Sequence, residues 1–212
     1  MTRVFLASRN AKKLEEMQRI LAQHLEQHLG EVEVVGLDDV PAYDEPVEDE
    51  PTFTGNALLK ARAGASVTGL PSIADDSGLC VDALNGMPGV LSARWSGPAL
   101  GSKEGQDARN NALLLAQLAD VPDERRGAHF ACAVAFCHPD GRELVVEGRM
   151  DGRVIRETRG DGGFGYDVLF VADDRPGLTT AELDRAEKDA ISHRGRAMRE
   201  IAPQLATLLG AR

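Results

Sequence analysis

The chain has 212 residues, 42% of them hydrophobic, and it carries 24 Lys and Arg against 34 Asp and Glu, for a net charge of −10. This length and apolar fraction suffice for one large domain or two small lobes with a buried core. The acidic balance disfavours nucleic acid and anionic membranes as partners because both attract basic surfaces, whereas a small anionic ligand needs only a few well-placed cations.

The first part of the chain predicts two strands with a helix between them. The runs RVFLA (3–7) and EVEVVGL (31–37) are typical of short strands. The segment between them repeats apolar residues at helical spacing, namely Leu14, Met17, Leu21 and Leu25. The following stretch, 38–51, is acidic and rich in proline, which indicates a solvated loop.

An alanine-rich segment and a short apolar run come next. Residues 52–69 begin with threonine and end on Gly69, a pattern that predicts a capped helix. The run PSIA (71–74) predicts a buried strand that ends where Asp75 and Asp76 begin. Asp and Ser are common at the start of a loop, but two adjacent acids there also suit a bound cation.

The second half predicts a helix at 105–121 and a β-hairpin at 128–150 around the turn PDG. A glycine-rich loop at 159–171 leads into a strand, and 179–209 is largely helical with a break near SHRG. The order of elements predicts an α/β fold with a mixed sheet and flanking helices. We expect a single domain over 1–212, because no linker divides the chain.

The cysteines and the hydropathy pattern indicate a soluble protein of a reducing cytoplasm. Three cysteines form no disulfide framework, and Cys132 and Cys137 would point to opposite faces of one strand. No apolar run is long enough for a signal peptide or a membrane span.

The stretch ASRNAKK places polar and cationic side chains between a predicted strand and the first turn of a helix. Lys12 and Lys13 oppose the helix dipole there, and a bound phosphate would reverse the sign of that effect. Ser8 and Asn10 would add a hydroxyl and an amide. The alternative is an exposed lysine pair on a solvated turn, and the GxxxxGK[ST] pattern of a P-loop is absent.

Lys60 follows Asn56 by four residues, so both lie on one helix face. Lys60 either meets an anion or extends over an alanine-rich surface. Glu48 and Asp76 could share Mg²⁺, which takes one or two carboxylates together with water and phosphate oxygens. Because adjacent strand residues point to opposite faces, only one of Asp75 and Asp76 should reach the site. The other would satisfy local backbone or cap the turn.

The segment GDGGFGYD places Phe164 and Tyr166 among four glycines. Glycines let a backbone approach a ligand closely, and an aromatic face can stack on a base. The alternative is a turn with core aromatics. The segment SHRG offers a hydroxyl, an imidazole and a guanidinium at a helix junction, where His193 is otherwise a surface or capping residue. A serine-hydrolase role for Ser77 lacks the GxSxG context.

Five segments together resemble the inosine triphosphate pyrophosphatase family, also called XTP/dITP diphosphatases. They are, in family order, ASRNAKK, TFTGNALLKA, ADDSGLCVDALNGMPGVLSARWSG, GGFGYDVLF and AELDRAEKDAISHRGRAM, and they span 6–198. One position departs from the family pattern, because Gly55 stands where an acidic residue usually precedes the asparagine.

The resemblance implies a homodimer in which each chain forms two lobes around a central substrate groove. It implies Mg²⁺-dependent hydrolysis of ITP, dITP and XTP to the monophosphate and pyrophosphate, which keeps these nucleotides out of DNA and RNA. A protein of the same fold could instead bind purine nucleotides as a sensor without hydrolysing them. Such a sensor would need lysines and a base pocket, but no carboxylate positioned against water.

The resemblance also assigns residues. Asp76 would be the catalytic base and a metal ligand, with Glu48 as the second carboxylate on Mg²⁺. The triphosphate side would use Ser8, Arg9, Asn10, Ala11, Lys12, Lys13, Lys60 and Ser77. The purine side would use Phe164, Gly165, Tyr166, Asp167, Lys188, His193 and Arg194.

Overall fold

A computed structural model describes residues 2–29, 32–44, 46–98 and 101–210, without the side chains at 2, 22–29 and 32. The strands in these ranges are Thr2–Leu6 (β1), Val32–Val35 (β2), Ser72–Val81 (β3), Gly127–Cys137 (β4), Glu143–Val154 (β5) and Phe170–Ala172 (β6). The α-helices are Ala11–Leu29 (α1), Phe53–Thr68 (α2), Lys103–Gln117 (α3), Arg185–Ile191 (α4) and His193–Gly210 (α5).

The six strands form one sheet in the order β2-β1-β3-β4-β5-β6. β1 pairs in parallel with both β2 and β3, with Val4 opposite Val34 and Leu6 opposite Ile73. β5 pairs antiparallel with β6. The sheet is therefore mixed, and the predicted α/β fold with flanking helices is confirmed.

Local chemistry sets the ends of the helices, and it confirms the predicted threonine cap, the predicted end at Gly69 and the predicted break near SHRG. The Thr52 side chain accepts the N–H of Gly55 at the start of α2, and Gly69 ends that helix in the left-handed conformation at φ 66°. Asp184 and Glu187 form a capping box at the start of α4. Ser192 is extended and separates α4 from α5, which is the break expected near SHRG.

The prediction that a strand ends before the two acids is wrong. β3 continues from Ser72 to Val81, so Asp75 and Asp76 lie in its middle and both are buried. Carboxylates can be buried in a strand when cations neutralise them, and the partners described below do so. Of the predicted helical and strand positions, the side chain of Leu25 and residue 31 lie outside the described part of the chain.

The chain divides into two compact units. Unit 1 comprises 1–76, 132–148 and 193–212, and unit 2 comprises 77–131 and 149–192. The division cuts β3 between Asp76 and Ser77, and it also cuts β4 and β5.

Each unit has its own apolar core. In unit 1, Met17 and Leu21 of α1 pack with Met198 and Ile201 of α5, and Phe5 packs with the alanines of α2 in a second cluster. In unit 2, the core includes Phe130 and Phe170, whose rings meet edge to face at 4.8 Å between centroids.

All three cysteines are free and buried, as the sequence predicted. Among the helices in the described ranges, none is both long enough and apolar enough to cross a membrane.

Candidate active site

The turn after β1 and the first turn of α1 hold the residues of ASRNAKK. Ser8 is buried, and the Asn10 side chain accepts the backbone N–H of Lys13 at 3.3 Å. Arg9 donates to the carbonyl of Tyr43 at 2.6 Å, while Ala11 and Lys12 are exposed. The ammonium of Lys13 lies 3.1 Å from Asp75 Oδ2. A carboxylate on β3 therefore offsets the unfavourable position of Lys13 at the helix start.

Asp75 is the centre of a buried charge network, and not the backbone or turn partner predicted for it. Arg194 donates to Asp75 Oδ2 from Nε at 3.2 Å and from Nη2 at 3.0 Å, and its Nη1 reaches Glu16 Oε2 at 2.6 Å. Burial alone would raise the pKa of Asp75, but Lys13, Arg194 and Lys60 lower it well below its usual range. Asp75 therefore stays ionised at neutral pH.

Asp76 meets different partners from its neighbour. Asn56 Nδ2 donates to Asp76 Oδ2 at 3.0 Å, and Lys60 Nζ lies 3.7 Å from Asp76 Oδ1. Both partners come from one face of α2, as their four-residue spacing predicted. Burial raises the pKa of Asp76 above its ordinary value, and Glu48 adds to that rise against the opposing effect of Lys60. A carboxylate with a raised pKa is a better proton acceptor near neutral pH than an ordinary aspartate.

Glu48 joins the same cluster through Lys60, whose Nζ lies 2.5 Å from Glu48 Oε1. Burial would lower the pKa of Lys60, but Asp75, Asp76 and Glu48 raise it, so Lys60 stays protonated. The two carboxylates predicted to hold Mg²⁺ thus converge on one cation. The side chain of Glu48 is 29% exposed, so its carboxylate can reach a metal ion that keeps several water ligands. The donor set fits Mg²⁺, which needs only one or two carboxylates; the described residues contain no cluster of three or more His, Cys, Asp or Glu suited to a metal.

Gly55 lies next to the side chain of Glu50. A Cβ added at Gly55 would come within 2.7 Å of Glu50 Cβ and 3.0 Å of Glu50 Oε2. The N–H of Glu50 donates to Asn56 Oδ1 at 3.1 Å, and Asn56 in turn holds Asp76. At the position where the family usually has an acidic residue, this chain has Gly55, and the carboxylate of Glu50 lies next to it.

Five of the residues predicted for the purine side lie together in unit 2. Asp167 is buried; its Oδ2 accepts the N–H of Phe164 at 2.8 Å and the ammonium of Lys188 at 2.6 Å. The Phe164 ring is half-buried, with Lys188 Nζ 5.0 Å from its centroid. Tyr166 belongs to the apolar core and donates its hydroxyl to the carbonyl of Ser92. The core-aromatic alternative thus describes Tyr166, whereas Phe164 keeps an accessible ring.

Three further predicted residues remain, namely Ser77 of the triphosphate side and His193 and Arg194 of the purine side. Ser77 follows Asp76 on β3 and is half-buried. His193 and Arg194 begin α5 in unit 1, and both are buried. Because the described bonds of Arg194 go to Asp75 and Glu16, its direct contact with a purine stays a prediction.

Glu16 of α1, which accepts a hydrogen bond from Arg194, is not among the predicted site residues. Glu16 lies three residues after Lys13, so helical spacing places both on one face and could have suggested a common site. Asn56 was noted only for its spacing from Lys60, although it is fully buried and bonds Asp76 directly.

Comparison with known proteins shows which family this chain resembles. The Ham1 family model matches residues 4–204. The dITP/XTP pyrophosphatase of Nocardia farcinica is 60% identical over 208 residues, covering 98% of this chain and 97% of that protein. That of Mycolicibacterium paratuberculosis is 55% identical over 212 residues and covers both chains completely.

Solved structures show the same relationship. The crystal structure of the nucleoside-triphosphatase, or dITP/XTP pyrophosphatase, of Mycobacterium abscessus is 55% identical, with a TM-score of 0.74 over 95% of this chain and all of that one. A HAM1 protein from Coxiella burnetii is 38% identical, with a TM-score of 0.81 over the full length of both chains. With a matching family model over nearly its whole length and relatives more than half identical, the chain belongs to the Ham1 family.

Proposed function

We propose that this protein hydrolyses the noncanonical purine nucleoside triphosphates dITP, ITP and XTP to the monophosphate and pyrophosphate. The observation that carries the proposal is the 60% identity, over almost the full length of both chains, to a protein named dITP/XTP pyrophosphatase. Removing these nucleotides from the precursor pool would prevent their incorporation into DNA and RNA.

The residues of unit 1 supply the groups that triphosphate hydrolysis requires. The carboxylates around Lys60 keep it protonated, and the ammonium of Lys13 lies 3.1 Å from Asp75 Oδ2. A triphosphate would add further negative charge beside both lysines. Ser8 and Asn10 would complete the hydrogen bonds to phosphate oxygens. Fixed cations next to a reacting phosphorus stabilise the charge that develops in the transition state.

Asp76 would orient the attacking water and accept its proton. The water oxygen bonds to the α-phosphorus, the bond from that phosphorus to the α–β bridging oxygen breaks, and pyrophosphate leaves with that oxygen. The raised pKa of Asp76 suits it to take the proton, and Asn56 fixes one of its oxygens. Glu48 and Asp76 would hold Mg²⁺, which would neutralise charge on the phosphates.

In unit 2, we assign the half-buried ring of Phe164 to the purine, because an aromatic face can stack on a base. Lys188 and the backbone of the glycine-rich loop would supply donors for the 6-oxo group that hypoxanthine and xanthine share with guanine, so this contact selects against adenine only. Adenine carries a 6-amino donor at that position, so it would leave the donors of the pocket unpaired.

The test is pyrophosphate release with Mg²⁺ from dITP, ITP and XTP, compared with dATP and dGTP. We expect rapid release from the first three, and loss of turnover with EDTA. The variant Asp76→Asn should lose turnover while still binding IMP, because the lysines remain. Binding of dITP without any pyrophosphate release by the wild type would instead support a nucleotide sensor.

We also propose that the protein is a homodimer, as the family resemblance implies, and that it acts in the cytoplasm, as the free cysteines and the hydropathy pattern indicate. Light scattering coupled to gel filtration would give twice the mass of one chain; a monomer at micromolar concentration would contradict the dimer.

A further inference from the structure

Gly165 is held at both of its backbone polar groups by helix α3. Its N–H donates to Asp107 Oδ2 at 2.8 Å, and its carbonyl accepts from Asn111 Nδ2 at 2.9 Å. Asp107 and Asn111 are four residues apart, so they lie on one face of α3. Gly165 has φ 64°, a backbone conformation that residues other than glycine rarely adopt. The two hydrogen bonds from α3 therefore hold a backbone conformation that depends on glycine.

The neighbouring residue is fixed as well. The N–H of Phe164 donates to Asp167 Oδ2, and the ammonium of Lys103 lies 5.5 Å from the Phe164 ring centroid. Lys103 precedes Asp107 by four residues. Three successive turns of one face of α3 therefore contact the dipeptide Phe164–Gly165.

These contacts differ from ordinary core packing. Asn111 is buried, and its Oδ1 finds no hydrogen-bond partner among the described residues, which lowers the stability of the fold. An apolar residue at this position would avoid that cost. In exchange, Asn111 provides a donor that fixes the Gly165 carbonyl, beside the half-buried ring of Phe164.

We propose that Asp107 and Asn111 are positioning residues that fix Phe164 and Gly165 for the purine, and that they set the affinity for the base but not for the phosphates. This inference rests on the proposed function, which assigns Phe164 to the purine. A loop that is held at both the N–H and the carbonyl of Gly165 needs no ordering when the base binds, and such preorganisation appears as affinity.

The experiment measures the dissociation constants of IMP and of pyrophosphate by calorimetry. We expect Asn111→Ala and Asp107→Ala each to raise the Kd of IMP about tenfold, the effect of losing one hydrogen bond in a buried setting. The Kd of pyrophosphate should stay within about twofold of the wild type, since pyrophosphate carries no base. Asp107→Asn keeps an acceptor for the Gly165 N–H and should restore most of the IMP affinity.

Asn110→Ala is the matched control. Asn110 is the same residue type on the same helix and equally buried, but it bonds Ser96 and the carbonyls of Ser92 and Ala93. The Asn110→Ala variant should have a lower melting temperature, but the ratio of its dissociation constants for IMP and pyrophosphate should stay that of the wild type.

Equal changes in both constants for Asn111→Ala and Asp107→Ala, or no change in either, would overturn the proposal. If Asn111→Ala does not fold, the comparison of Asp107→Ala with Asp107→Asn tests the proposal through the same dissociation constants of IMP and pyrophosphate. Pyrophosphate release by the wild type is a separate assay, so a protein that binds IMP through this loop without hydrolysing dITP would refute only the proposed function.

Discussion

Two neighbouring aspartates on β3 have opposite electrostatic environments. Asp75 accepts from Arg194 and Lys13, and its pKa is lowered, whereas Asp76 has its pKa raised mainly by burial. A strand makes this possible because adjacent side chains leave it in opposite directions. One acid can therefore serve the architecture while the next serves the reaction.

We expect Asp75→Asn to lower the free energy of unfolding by about 3 kcal/mol at pH 7, because it leaves Arg194 and Lys13 with too little negative charge. A lowered pKa contributes stability above the unfolded pKa of about 3.9, and that stability is lost as pH falls. The linkage for Asp76 has the opposite sign: a raised pKa contributes stability while the carboxyl is protonated, and that stability is lost as pH rises through the folded pKa. Asp76→Asn should therefore be as stable as the wild type or slightly more stable at pH 7.

Urea denaturation in EDTA at pH 5 and pH 7 measures both variants. If Asp75→Asn were as stable as the wild type, the buried network would not have the structural role assigned to it. If Asp76→Asn were the less stable of the two, the assigned roles of the two acids would have to be exchanged.

Sequence reasoning found the residues whose position depends on local spacing. Lys13 at a helix start and Asn56 with Lys60 on one helix face follow from helical periodicity alone. The partners of Asp75 could not be found in this way, because Arg194 is 119 residues away along the chain. The sequence predicts that the strand ends at the acids, because burying two adjacent carboxylates is unfavourable. It does not show that Arg194 and Lys13 lie beside Asp75 and offset that cost.

At the scale of elements, the start of α2 links a loop to the candidate catalytic acid. The N–H of Glu50 bonds the Asn56 side chain, which bonds Asp76, and Gly55 leaves the space in which the Glu50 side chain lies. A glycine in a helix normally lowers stability by about 1 kcal/mol relative to alanine. Here it is required by the close approach of Glu50.

We expect Gly55→Ala to lose stability in spite of its better helix propensity, because the added Cβ lies 2.7 Å from Glu50 Cβ. The turnover number should fall several-fold as the displaced Glu50 backbone moves Asn56 away from Asp76. The double variant Glu50→Gly/Gly55→Ala removes the clash and should recover stability. If Gly55→Ala were more stable than the wild type and fully active, the Glu50 segment would be able to move without disturbing the contact of Asn56 with Asp76.

A second element-scale feature is Arg126, a buried guanidinium that joins the end of α3 to β5 in unit 2. It donates to the carbonyls of Leu118, Val154 and Ile155 at 2.6–3.0 Å. Burial lowers the pKa of Arg126. The described hydrogen bonds of its guanidinium go to carbonyls and not to a carboxylate. The planar guanidinium reaches three carbonyls at once, which an ammonium cannot do from one point.

We expect Arg126→Met to lower the free energy of unfolding by about 3 kcal/mol, because three carbonyls lose their donor. Arg126→Lys should recover only part of that loss. Thermal unfolding monitored by the fluorescence of Trp95, the only tryptophan of the chain, measures both variants. A lysine variant as stable as the wild type would argue against the three-carbonyl geometry.

For the molecule as a whole, the sequence was sufficient for the fold class and for the family, but not for the division into units. The boundary falls inside three strands and not in a linker, so no change of composition marks it. β3 gives Asp76 to unit 1 and Ser77 to unit 2, and β4 and β5 are likewise shared. Because a shared strand cannot unfold in one unit without breaking pairs that continue into the other, we expect the units to unfold together.

The three cysteines can test this expectation, because Cys132 and Cys137 belong to unit 1 and Cys80 belongs to unit 2. Burial raises the pKa of all three thiols, that of Cys137 to about 12, so both access and thiolate content are low in the native state. We expect no labelling by a thiol-specific disulfide reagent at pH 7.5 without denaturant. With increasing urea, mass spectrometry of the labelled peptides should show all three cysteines reacting across one transition that coincides with the loss of Trp95 fluorescence. Labelling of Cys80 at a clearly lower urea concentration than Cys132 and Cys137 would show that unit 2 opens by itself, and that the shared strands do not couple the two units.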